Sequence, residues 1–86
     1  MTEHEILTVV RKHLANAVDG LSPETIDPSR SMKDYGANSL DIVEVVSATM
    51  RELRLKVPRS ELSGLRDIQG LVTLFHESAQ QKAAAG

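Results

Sequence analysis

The chain has 86 residues, 41% of them hydrophobic but with one Phe, one Tyr and no Trp, and a formal net charge of -2. That length makes one small domain burying about 60% of its unfolded surface, with a core of Val, Leu, Ile and Ala and no room for a deep active-site cleft. The absence of Cys excludes disulfides, thiolate zinc sites and a cysteine nucleophile, and the mildly acidic balance argues against nucleic acid, which requires a basic patch.

The elements follow in chain order. Residues 3–19 read as a first helix, because Ile6, Val10, Leu14, Ala17 and Leu21 recur at spacings of three and four. Thr2, Glu3 and Glu5 favour its start and Gly20 its end. Residues 20–38 form a long connection, of a length that is usually functional or internally packed. Within it Ser22-Pro23-Glu24 reads as an N-cap followed by proline at the first position of a short helical turn, which Asp27-Pro28 ends. Ile26, Met32 and Tyr35 are the apolar anchors expected to pin this loop.

Residues 39–54 read as a second helix whose core stripe is Ile42, Val45, Val46, Thr49 and Leu53. Leu40, Val43, Glu44, Ser47 and Arg51 fall on the other side, with Met50 at the margin. Apolar residues at 40 and 43 on an otherwise polar face point to a partner surface. Val57-Pro58 breaks the helical pattern, and residues 59–65 read as a short helix carrying Leu62 and Leu65, weakened by Gly64. Asp67 caps a last helix with the stripe Ile68, Leu71, Val72 and Phe75, and residues 80–86 have no packing stripe and should fray. The expectation is an all-α fold, a small four-helix bundle of three longer helices and one short one with a long first loop. It comprises a single domain over 1–80 and a flexible tail over 81–86.

Constellations that would carry chemistry do not form. His4 and His13 are not at the i, i+4 spacing of a helical metal site, and neither they nor His76 stand in an acidic cluster. Ser39 lacks the GxSxG context of a hydrolase elbow. No catalytic residue and no metal ligand is therefore assigned. No run approaches a membrane span and the start of the chain lacks a signal-peptide core, so the expectation is a cytoplasmic protein without membrane contact.

The stretch Gly36-Ala37-Asn38-Ser39-Leu40-Asp41 is the most informative. Gly36 suits a turn of unusual backbone conformation. Asn38 is an N-cap candidate with Asp41 three residues on, a capping-box-like pair in which Asp is a weaker partner than Glu. Ser39 then falls in the first helical turn, exposed, where an attached anion would meet unpaired backbone N–H groups. On residue chemistry alone this serine is either a modification site or simply part of a helix cap.

The whole pattern resembles an acyl carrier protein. The likeness runs over nearly the full length: a first helix, a long loop, Asp34-Tyr35-Gly36, then Asn38-Ser39-Leu40 opening the second helix, Val57-Pro58, a short helix, and a last helix near Asp67. It implies that Ser39 receives 4′-phosphopantetheine from coenzyme A through a phosphopantetheinyl transferase. It further implies that Asp41 and Glu44 are acidic docking positions and Leu40 an apolar contact; with Val43, Ser47 and Arg51, which the helical wheel puts on the same outer side, they make the expected docking face. The family usually has Asp where Asn38 stands, and a more acidic end of the second helix than Met50, Arg51 and Arg54 provide.

The Gly36-Ala37-Asn38-Ser39 string, in a chain read as free-standing, resembles the narrower group of donor carriers in polyketide β-branching. These members tend to follow the motif with Asp-Arg, of which Asp41-Ile42 keeps only the first residue. The implied partners are an acyltransferase, a ketosynthase or decarboxylase, and a hydroxymethylglutaryl-CoA-synthase-like enzyme, with the carrier a monomer. A peptidyl or aryl carrier loaded by an adenylating enzyme would share Ser39, and a plain helical interaction domain would use it only as a cap.

Overall fold

A computed structural model describes residues 1–85. The chain forms four helices, α1 (Glu3–Ala17), α2 (Ser39–Leu53), α3 (Arg59–Leu62) and α4 (Ile68–Ala85), and among the described residues there is no strand. This is the all-α bundle of three longer helices and one short one that the periodicity predicts. Helix α1 is its centre, packing against both α2 and α4.

Helix α1 starts in a reciprocal cap. Glu5 N–H donates to Thr2 Oγ1 at 3.1 Å and Thr2 N–H donates to Glu5 Oε1 at 3.0 Å, which satisfies two orphan donors at once. The Thr2 amide, then its hydroxyl, hold the Glu5 carboxyl below its ordinary value. Ile6, Val10 and Leu14 are fully buried. The helix stops at Ala17, two residues short of the expected end, because Val18 turns extended at φ -118 before Gly20 takes a left-handed φ of 78. Val18 is β-branched and gains by leaving the helix for an extended conformation against the core.

The long loop is internally organised. The expected turn at Pro23–Thr25 forms, but the Ser22 side chain does not cap it; instead Thr25 Oγ1 donates to the Ser22 carbonyl at 2.8 Å. A second 3₁₀ turn over Lys33–Tyr35 was not expected from the sequence. Ile26 is fully buried, and Met32 and Tyr35 are half-buried. Asp27 N–H donates to Tyr35 Oη at 2.6 Å. Arg11 Nε and Nη2 reach from α1 to the Ile26 carbonyl at 3.0 and 2.8 Å. The carbonyls of Arg30 and Pro28 accept from Ile68 and Gln69 N–H at 3.0 and 2.8 Å, and Asp67 Oδ1 accepts from Gly70 N–H at 2.7 Å. The loop thus caps α4, answering the demand of helix-start amides for acceptors.

Downstream, Arg54 ends α2 in the left-handed region at φ 57, one residue earlier than expected. Helix α3 is a single turn rather than the expected 59–65, because Ser63-Gly64 does not propagate it. Ile68, Leu71, Val72 and Phe75 of α4 are buried as the stripe predicts. Residues 81–85, expected as a tail, continue the α4 backbone; Gln, Lys and Ala are good helix formers even without a packing stripe. Lys82 Nζ donates to the Arg54 carbonyl, tying α4 to the end of α2. Gly86 lies outside the described residues.

Candidate functional site

The loop residues before Ser39 are fixed by short-range bonds. Asp34 N–H donates to Ser31 Oγ at 3.2 Å while Ser31 N–H donates to Asp34 Oδ2 at 3.1 Å. Gly36 N–H reaches the Lys33 carbonyl at 3.0 Å and Ala37 N–H the Met32 carbonyl at 3.3 Å. Gly36 has φ 93, a left-handed conformation that a side chain would strain. Ala37 is buried at 5% exposure, so the chain is wedged into the core immediately before the helix begins. The reciprocal Ser31–Asp34 pair is a structural support of the loop that the sequence reading missed; its signal was the Ser-x-x-Asp spacing.

Helix α2 then opens as the motif predicts. Asp41 N–H donates to Asn38 Oδ1 at 2.8 Å and Asn38 N–H donates to Asp41 Oδ2 at 3.0 Å. Asp at the third helical position therefore completes a full capping box, and Asn38 caps as well as the usual Asp would. Ser39 is the first helical residue and is exposed. Among the described residues its Oγ makes no hydrogen bond, and the N–H groups of Ser39 and Leu40 are the first-turn amides the capping box leaves free. A phosphodiester on this oxygen fits the setting, because the helix start offers free donors and a positive dipole end. No base lies within hydrogen-bond reach of Ser39 Oγ among the described residues, so the arrangement presents the hydroxyl without activating it.

Around Ser39 the two faces of α2 separate. Leu40 is 81% and Val43 56% exposed, the largest exposed hydrophobic side chains besides Met1. Glu44 and Arg51 are exposed, while Asp41 and Ser47 are half-buried. Asp41 commits its Oδ2 to the cap. On the inner side Val45, Val46 and Thr49 are buried. Ile42 and Leu53, expected in the same core stripe, are only half-buried. The reason for Ile42 is that α3 is too short to close over it. Ile42, Val46 and Leu62 are shared by two open clefts of about 420 and 500 Å³ between α2 and the α3 region. Met50, placed at the margin by the sequence, lines the second of these with Val57 and Arg59.

Two further carboxylates, Glu52 and Asp27, serve the scaffold. Glu52 on α2 takes Lys12 Nζ at 2.6 Å and lies 2.9 Å from His13 Nε2 on α1, and these two hydrogen bonds hold its carboxyl below the ordinary value. Asp27 is held low by the Ser29 amide and then its hydroxyl. Among the described residues no group of three or more His, Asp or Glu side chains could hold a metal ion. Among the described residues no helix is long and apolar enough to cross a membrane.

This geometry, a bare serine at a rigid helix start beside an exposed apolar face, defines a class, and comparison with known proteins agrees. Residues 12–75 match the family model described as the phosphopantetheine attachment site. The acyl carrier protein of Campylobacter hominis is 35% identical over 78 residues, covering 91% of this chain and 94% of the relative. The polyketide biosynthesis acyl-carrier-protein AcpK of Bacillus subtilis is 28% identical over 80 residues, covering 93% and 98%. Among solved structures, a chain from the crystal structure of the curacin biosynthetic pathway HMG synthase in complex with acetyl donor-ACP superposes with a TM-score of 0.79 at 29% identity, covering 87% of this chain and 96% of that one. The chain belongs to the phosphopantetheine-bearing acyl carrier proteins.

Proposed function

We propose that Ser39 carries the 4′-phosphopantetheine arm. We further propose that this carrier works in polyketide biosynthesis as the acetyl donor to a hydroxymethylglutaryl-CoA-synthase-like enzyme. The observation that carries the attachment reading is the unbonded, exposed Ser39 hydroxyl at the start of a doubly capped helix, with two free amides beside it. The arm supplies the thiol that a chain without Cys lacks, on which an acyl group is held activated. The protein's own residues do the rest. Asn38 and Asp41 fix where the helix begins, Ala37 and Gly36 fix the approach to it, and the outer face of α2 docks the enzymes in turn.

Leu40 and Val43 are the apolar contacts of that face and Glu44 its steering charge. Asp41, Ser47 and Arg51 complete it. A face this small gives brief encounters whose rate and specificity depend on charge more than on buried area. The partners are a phosphopantetheinyl transferase that installs the arm, an acyltransferase that loads malonyl, a ketosynthase or decarboxylase that removes carbon dioxide, and the synthase that receives acetyl. The chain acts as substrate to each of them, as a monomer in the cytoplasm.

The donor reading is supported by the likeness to the chain from the synthase complex and to the polyketide carrier. The loss of acidity toward the end of α2 adds to it, since a synthase that separates donor from acceptor carriers needs such a difference. The test is transfer. Holo protein loaded with malonyl and decarboxylated should pass acetyl to a hydroxymethylglutaryl-CoA-synthase-like enzyme, and an ordinary fatty-acid carrier should do so poorly. The reverse ranking would remove the donor role and leave the carrier.

A further inference from the structure

The charge on the α2 side of the molecule changes sign along its length. From residue 39 to residue 50 the helix carries Asp41 and Glu44 and no cation. From residue 51 to residue 59 the chain carries Arg51, Arg54, Lys56 and Arg59, all exposed, against one carboxylate, Glu52. That carboxylate is already engaged by Lys12 and His13 across the α1 interface, and among the described residues these are the only ion pairs. Among the described residues none of the four cations makes an ion pair, and the next carboxylate is Glu61, on α3. A helix C-terminus favours basic residues, which accounts for Arg51 and Arg54. It does not account for Arg59, which belongs to α3 and lines the cleft that Ser47 and Met50 line from α2. Arg51 does not line the cleft but follows Ser47 by one helical turn on the same helix side, so cations from two elements stand beside it as a rim.

We propose that this rim docks against an acidic patch on the acetyl-accepting enzyme, with Arg51 and Arg59 as the principal contacts. The identity of that enzyme rests on the donor reading above. Twelve helical steps separate Ser39 from Arg51, so the patch lies about 18 Å from the point where the arm enters the enzyme. The rim is continuous with the Leu40–Val43 face, so one enzyme surface reads both. A surface that is basic throughout would attract Asp41 and Glu44 but repel the far end of α2. A surface basic at the tunnel mouth and acidic about 18 Å away fits both ends and fixes the rotation of the carrier about the serine. Exposed charges of this kind act mainly on the association rate and are screened within about 8–10 Å at physiological salt.

The test uses the full-length holo protein, acetyl-loaded, with the curacin-pathway HMG synthase as the probe enzyme. The double variant Arg51→Glu/Arg59→Glu should transfer acetyl at least about tenfold more slowly than the parent at low salt and approach it at high salt. Its phosphopantetheinylation should fall less than its acetyl transfer; Arg59→Glu alone, outside the shared α2 face, should leave phosphopantetheinylation and the thermal midpoint unchanged, and Arg51→Lys/Arg59→Lys should keep most of the rate. Should the double reversal lower the thermal midpoint, Arg59→Gln alone carries the comparison. If the parent transfers and the variant matches it at low salt, the acidic patch is refuted and the donor reading stands. If the parent does not transfer at all, the donor reading fails and this inference falls with it. A sedimentation coefficient of the unmixed carrier that drops on charge reversal would show a second copy covering the rim, which also overturns it.

Discussion

Leu40→Ala separates docking from folding, because the structure assigns the two α2 faces different energies. Leu40 is 81% exposed, so folding removes only about a fifth of its side chain from water. Full burial of a leucine is worth about 1.5–3 kcal/mol, so truncation should cost folding no more than about 0.6 kcal/mol. Val46 is 9% exposed and sits between the core and the α2–α3 clefts. Val46→Ala should cost about 1–3 kcal/mol, the range for trimming a buried aliphatic side chain that leaves a partial void. The enzymes see the reverse. An apolar anchor at the centre of a small interface is worth about 1.4–2 kcal/mol, so Leu40→Ala should lower kcat/KM for arm transfer or acetyl transfer about tenfold or more. Val46→Ala should change it little once the protein is folded. Urea midpoints and initial transfer rates on both variants give the two numbers. Equal destabilisation by the two substitutions, or an unchanged transfer rate for Leu40→Ala, would refute the assignment of faces.

Two further predictions concern the scaffold. Thr49 is fully buried and its Oγ1 has no hydrogen-bond partner among the described residues, so Thr49→Val should raise stability by about 1 kcal/mol, read as a higher urea midpoint at unchanged slope; a loss would mean that the hydroxyl bonds a helix carbonyl in solution. The lowered carboxyls of Glu52, Asp27 and Glu5 bind protons less readily folded than unfolded. Their stabilisation is therefore present above the ordinary carboxylate pKa and is lost as pH falls through the folded values. The thermal midpoint should drop between about pH 5 and about pH 3, and Glu52→Gln should flatten part of that drop. A Glu52→Gln variant as acid-sensitive as the parent would contradict the Lys12–Glu52–His13 link.

The periodic elements were legible because each has one apolar stripe at helical spacing: Ile6, Val10 and Leu14, then Val45, Val46 and Thr49, then Ile68, Leu71, Val72 and Phe75. The start of α2 was legible for a local reason, since a capping box is written in four consecutive residues, Asn38 to Asp41. What could not be read were effects that join distant parts of the chain. Neither the use of the Arg30 and Pro28 carbonyls to cap α4 nor the reach of Arg11 to the Ile26 carbonyl leaves a sequence signal. Ile42 looked like core because its wheel position is right, but its exposure is decided by how far α3 extends, and α3 ends after one turn. The cationic rim was half visible: Arg51 could be placed on the outer face, but Arg59 joins it only through the fold.

The most direct test of the account is the intact mass of the protein after incubation with coenzyme A and a broad-specificity phosphopantetheinyl transferase. The parent should gain a single phosphopantetheine, and peptide mapping should put it on Ser39. Ser39→Ala should keep the parent's thermal midpoint, since the exposed hydroxyl makes no hydrogen bond among the described residues, and should gain no mass. An unmodified parent, or an alanine variant that still takes up the arm, would contradict the account.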